Sequence, residues 1–139
     1  MMSVEPGIVD ANVLVDAFDT NAPQHLASRT LLDAGRTGAT ALYVTSQVLC
    51  EFYSIVTNPR RVLKLRTVAD AIAAITDLLS FLHVLPLPPR TVEGWLAMLR
   101  SRPVTGGAVF ELQLAAAMLA NGVQRIYTCL LYTSDAADE

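Results

Sequence analysis

The stretch Gly7-Ile8-Val9-Asp10-Ala11-Asn12-Val13-Leu14-Val15-Asp16-Ala17-Phe18 decides the fold. Gly7-Ile8-Val9 reads as a short buried strand that ends at Asp10, and Ala11 to Phe18 reads as the helix that follows. A strand running directly into a helix is the repeating unit of an α/β fold with a parallel sheet. An acid at that junction stands at the carboxyl edge of the sheet, where open parallel sheets bind their ligands.

Working outward, the same alternation recurs. Pro23 suits the first turn of a second helix, which carries Leu26, Leu31 and Leu32 and ends at Gly35 or Gly38. Leu42 to Thr45 is the second strand. Ser46 is the expected cap of a helix with Val48, Phe52, Ile55 and Val56 on one face, stopped by Asn58-Pro59. Thr67 caps the next helix, predicted to run to about Leu82 with Ala71, Ile72, Ile75, Leu78 and Leu79 inward. Val84-Leu85 makes a third strand, Thr91 to Arg100 a helix with Trp95 and Met98 in the core, and Gly106-Gly107 a turn. Val109 to Ala120 is a strongly apolar helix with Gly122 beyond its end, and Arg125 to Thr128 is the fourth strand. The expected architecture is a three-layer α/β/α sandwich around a central parallel sheet.

At 139 residues the chain suits one domain. It is 53% hydrophobic and 17% charged, which supports a packed core and excludes disorder for most of its length. No apolar run is long enough to cross a bilayer, and the N-terminus lacks the pattern of a signal peptide. Cys50 and Cys129 form no metal or redox motif, and Cys50 is expected as a small buried residue. A cytoplasmic protein fits best. The net charge of −3 argues against nucleic-acid binding by bulk charge, although Asp135, Asp138 and Glu139 at the C-terminal end account for all of it.

Three acids carry the candidate chemistry. Asp10 closes the first strand, with helix capping as its other reading. Glu51 sits beside the buried stripe of the Ser46 helix, or at its edge with the carboxylate in water. Glu111 shares a face with Leu114, Ala115 and Met118 in an otherwise apolar helix, or else complements the dipole in its first turn. Together they describe carboxylates brought to one point, a donor set suited to Mg²⁺ or Mn²⁺. Such ions activate water and stabilise charge on a phosphate in transit.

These residues also resemble a family. Ile8 to Phe18 (IVDANVLVDAF) resembles the first motif of PIN domains, Val44 to Arg60 (VTSQVLCEFYSIVTNPR) the second, and Val104 to Thr128 (VTGGAVFELQLAAAMLANGVQRIYT) the third. The likeness is to the VapC toxin type. It implies a metal-dependent endoribonuclease acting on RNA phosphodiester bonds, a VapB-like antitoxin partner and a homodimer. By position, the metal ligands and catalytic residues implied are Asp10, Glu51 and Glu111. Asn12 would orient Asp10 by hydrogen bonding, and Thr128 would lie near the site.

The chain departs from the family pattern twice. The family usually has Asp where Glu111 stands, so the Glu111 carboxylate reaches one methylene further. The family also continues past the fourth strand with an Asn-bearing loop and a fourth acid, whereas Cys129 to Glu139 reads CLLYTSDAADE. That string resembles the translation of a sequencing-library adapter. The domain is therefore expected over residues 1–128, incomplete at its C-terminal end, with residues 129–139 a non-native tail whose Asp135 and Asp138 are not recruited to the site.

The other polar residues have plainer readings. Arg60, Arg61, Lys64 and Arg66 form a basic cluster that either guides RNA phosphates or faces solvent. His25 and His83 lack partners at catalytic spacing, and Asp16 and Asp19 suit a helix surface. Besides the nuclease, an inactive PIN-like module that binds antitoxin or RNA is the alternative. A phosphatase with a strand-end Asp nucleophile generally needs a second Asp two residues on, where this chain has Asn12.

Overall fold

In the computed structural model of the chain, residues 4–62 and 65–128 are described in full and residues 132–135 by their backbone. Lys64 of the basic cluster and Cys129 lie outside the described residues. Strands β1 (Gly7–Val9), β2 (Leu42–Val44), β3 (His83–Val84) and β4 (Arg125–Thr128) run parallel in the order β3-β2-β1-β4. The helices are α1 (Ala11–Ala17), α2 (His25–Arg36), α3 (Ser46–Val56), α4 (Val68–Leu78), α5 (Arg90–Ser101) and α6 (Ala108–Ala120). A further strand, β5 (Tyr132–Asp135), pairs antiparallel with β4 at the sheet edge. No strand was expected there. The outer edge of β4 offers a row of backbone donors and acceptors, and Tyr132 and Thr133 are good strand formers.

The layers follow from the two-residue period of the strands. Val9, Leu42, Val44 and Tyr127 point to one face and join a core with Leu14, Phe52, Ala71 and Leu78 from α1, α3 and α4. Ile8 and Ile126 point to the other face and pack with Ala115 and Met118 of α6. Central β1 is thus buried on both sides, as a parallel strand between two helical layers should be. Gly7 has a specific reason to lack a side chain. A Cβ there would stand 2.8 Å from the Tyr127 ring and 2.9 Å from the Arg125 carbonyl. The ring is itself held, because its hydroxyl donates to the Glu5 carbonyl at 2.6 Å.

Local differences from the sequence reading have simple causes. The cap of α3 is buried Thr45, whose hydroxyl accepts from Val48 N–H at 3.2 Å, and Ser46 is the first helical residue. Thr67 does cap α4, accepting from Asp70 N–H at 3.0 Å. On α4 the inward face is Ala71, Ala74 and Leu78, and Ile72 and Leu79, one position further on, face solvent. Small alanines let α4 approach the core closely, and that rotation is what the simple count of apolar residues misses. Cys50 is exposed rather than buried, because α3 turns Val48, Phe52 and Val56 inward instead. Trp95 is half-buried, its indole N–H donating to the Val109 carbonyl at 3.4 Å.

Two arginines fasten the helical layer. Arg36 of α2 forms a two-pronged ion pair with Asp77 of α4, both bonds 3.1 Å, and lies over the Phe81 ring. Arg66 donates to the Phe18 carbonyl at 3.1 Å and covers the Phe18 ring, which in turn touches Phe52. The close packing of β1 on β4 makes a prediction. Gly7→Ala should lower the unfolding free energy by about 1–3 kcal/mol through overpacking. Gly107→Ala, where a Cβ meets nothing within 4 Å, should cost nothing or stabilise by about 0.4–1 kcal/mol. Urea denaturation followed by circular dichroism measures both, and equal stability of the two variants would contradict this packing.

Candidate functional site

The ends of three strands and two helices enclose one cleft of about 830 Å³. Asp10 follows β1, Thr45 follows β2 and Thr128 ends β4, so the cleft lies at the carboxyl edge of the parallel sheet. Helix α3 adds Gln47 and Glu51, and the start of α6 adds Phe110 and Glu111. All three acids singled out from the sequence line this cleft, as do Asn12 and Thr128.

Asp10 is placed by its backbone. Its N–H donates to the Tyr127 carbonyl at 3.0 Å, and its own carbonyl accepts from Val13 and Leu14 as α1 begins. The carboxylate accepts from Ala11 N–H at 2.7 Å. Asp10 is therefore both the cap of α1 and a cleft residue, and the two readings of the sequence are compatible. Among the described residues its side chain takes this bond from Ala11 rather than from Asn12, whose side chain is exposed along the cleft wall. Burial pushes the Asp10 carboxyl above the usual aspartate range, and the Ala11 hydrogen bond offsets part of that rise.

Glu51 is half-buried, and Gln47, one turn earlier on α3, donates to its carboxylate at 3.1 Å. Gln47 was not picked out from the sequence, although its i, i+4 spacing from Glu51 is the available signal. Glu111 is exposed in the first turn of α6. Phe110 beside it is also exposed, so α6 is not central on every side. Arg61 and Arg102 supply the cationic side chains of the lining. Asp16 and Asp19 lie outside it: the Asp16 carbonyl accepts from the His25 ring, and Asp19 accepts from Asn21 N–H.

Among the described residues, no three His, Cys, Asp or Glu side chains stand close enough to enclose one ion. The donor chemistry fits a hard divalent cation held by one or two carboxylates and otherwise by water, the mode that Mg²⁺ favours. A partly desolvated Asp10 in a cleft with two further acids is the observation that supports this fit.

The architecture and its acid-lined cleft define an α/β/α domain with a candidate ligand site at the sheet edge. A family model for the PIN domain matches residues 7–136, and the chain belongs to the PIN domain family. Its fold is similar to that of VapC20 from Mycobacterium tuberculosis, described as a sarcin–ricin loop cleaving toxin, with TM-score 0.63, 16% identity and 87% of each chain covered. VapBC2 from Rickettsia felis, bound to a DNA fragment from its promoter, gives TM-score 0.60 and 16% identity over 90% of this chain and 87% of that one. VapBC-1 from nontypeable Haemophilus influenzae gives TM-score 0.59 and 14% identity over 91% and 87%. At such identities the likeness establishes the fold. Comparison with curated protein sequences gives no significant match.

The raised Asp10 pKa predicts a stability effect. Ionised Asp10 costs the folded state stability at neutral pH. That stability is present below the unfolded-state pKa and is lost as pH rises through the higher folded value. Asp10→Asn keeps the cap and removes the charge, so it should raise Tm at pH 7 in metal-free buffer. The difference should vanish at a pH low enough to protonate Asp10. A scanning calorimetry series across pH checks the sign.

Proposed function

We propose that this chain is a metal-dependent endoribonuclease, the toxin of a VapBC-type toxin–antitoxin pair, acting in the cytoplasm. The observation that carries the reading is the presence of Asp10, Glu51 and Glu111 in the lining of one cleft at the carboxyl edge of the sheet. On this reading one or two of these carboxylates would hold Mg²⁺ or Mn²⁺ directly and the rest would act through its coordinated water, with Asn12 and Thr128 lining the same cleft. Bound there, the ion would lower the pKa of a coordinated water and offset charge building on the phosphate. Asp10 holds the position nearest the sheet, fixed through its backbone bond to Tyr127. Gln47 keeps the Glu51 carboxylate turned along the cleft wall. The longer reach of Glu111 starts from an exposed helix position.

Partners follow on the same reading. Val68, Ile72 and Leu79 leave an apolar strip on α4 in solvent, the kind of surface that supports an antitoxin or a second copy of the chain. Among the described residues no helix is long and apolar enough to cross a membrane. The eleven residues after Thr128 are proposed to be non-native, on their resemblance to adapter translation, although the family match runs on to residue 136 and β5 pairs with β4. In the backbone register Asp135 stands opposite Arg125, at the far end of β4 from the cleft. Resequencing the source DNA past the Thr128 codon tests this, the expected reading being an Asn-bearing loop and an acid.

The exposed position of Glu111 favours a second reading as well, a PIN-like module that binds antitoxin or RNA without cutting it. Calorimetric titration with Mn²⁺ separates the two. Binding at millimolar concentration or tighter is expected of the nuclease, and none of the module. Cleavage of single-stranded RNA should require Mg²⁺ or Mn²⁺ and stop with a chelator. Metal stabilisation is worth several kcal/mol, so Asp10→Asn and Glu51→Gln should each lower the rate at least about 100-fold. Wild-type rates in Asp10→Asn would refute the site. Gln47→Ala should weaken Mn²⁺ binding by about tenfold, as loss of a group that orients a ligand commonly does.

A further inference from the structure

We infer that Arg61 is a phosphate-binding residue of the cleft, positioned to receive the backbone of a single-stranded RNA beside the reacting phosphodiester. The inference rests on the nuclease reading above and names a contact that reading leaves open. A polyanion entering a cleft lined by Asp10, Glu51 and Glu111 meets like charge, and the opposing charges in the lining are Arg61 and Arg102.

The three described arginines of the basic cluster, Arg60, Arg61 and Arg66, separate on folding. Arg66 is used in packing, donating to the Phe18 carbonyl and covering its ring. Arg60 is exposed but does not line the cleft. Arg61 is exposed and does line it, and among the described residues its guanidinium has no hydrogen bond or ion pair. Its backbone, in contrast, is hydrogen-bonded. The Asn58 side chain accepts from Arg60 N–H at 2.9 Å, and the Asn58 carbonyl accepts from Arg61 N–H at 3.0 Å and Val62 N–H at 3.3 Å. Arg66 N–H donates to the Val56 carbonyl at 3.0 Å. A hydrogen-bonded turn thus presents an uncommitted guanidinium to the cleft whose lining also includes Glu51 and Ser54. Planar, forked donors of this kind suit phosphate oxygens.

The test uses the full chain carrying Asp10→Asn, so that RNA is bound but not cut, in Mg²⁺-containing buffer. Fluorescence anisotropy follows a single-stranded RNA oligonucleotide across a series of KCl concentrations. Each phosphate contact contributes about −0.7 to the slope of log K against log salt for single strands. Adding Arg61→Gln should flatten that slope by about 0.7 and weaken binding about fivefold at about 0.1 M salt. Arg61→Lys should restore the slope, and Arg60→Gln should leave slope and affinity unchanged. If Arg61→Gln matches its parent, or if Arg60→Gln has the same effect, no placed contact exists and the inference fails alone. If the parent binds no RNA, the nuclease reading fails and the inference with it.

Discussion

Everything at the candidate site depends on the burial of β1 between two helical layers. Ile8 and Val9 are fully buried, on opposite faces, and the strand is flanked by β2 and β4. Its position is held by close approach to β4, where Gly7 leaves room for the Tyr127 ring and Asp10 N–H reaches the Tyr127 carbonyl. A carboxylate at the end of such a strand cannot retreat into solvent. It is carried to the sheet edge with its backbone already committed.

That constraint sets the electrostatics of the cleft. Asp10 is partly desolvated, and its ionised form is disfavoured where it sits. Two more acids share the lining, and two arginines stand against them. The arrangement is poor as a device for stability and well suited to a cation that offsets the acids and to a phosphate that meets the arginines. The rest of the fold supplies the stability elsewhere: Phe52, Leu14 and Leu78 fill the core, and Arg36 with Asp77 and Phe81 ties α2 to α4.

Much of this was legible in the chain. Short strand-forming runs at residues 7–9, 42–44 and 125–128 located three of the four parallel strands closely. The third came one residue off, because His83 and Val84 are exposed and carry no buried-strand signature. Asp10, Glu51 and Glu111 were legible as acids in apolar company. Gln47 and the separate fates of Arg60, Arg61 and Arg66 were not, because polar residues in turns and on helix flanks have no periodicity that says which way they face. The rotation of α4 was missed for a related reason, since Ala71 and Ala74 signal burial more weakly than Ile72 and Leu79.

The sequence by itself determined the order and kind of the elements and the identity of the acids, because hydrophobic period and turn chemistry act over a few residues. The sequence suggested that Asp10, Glu51 and Glu111, more than a hundred positions apart at their extremes, meet; tertiary structure decided which cleft they line, and that Arg61 rather than Arg60 or Arg66 joins them. The reason is physical. Which side chains meet is set by how helices pack across a sheet, and that packing is a property of the whole buried core rather than of any local stretch.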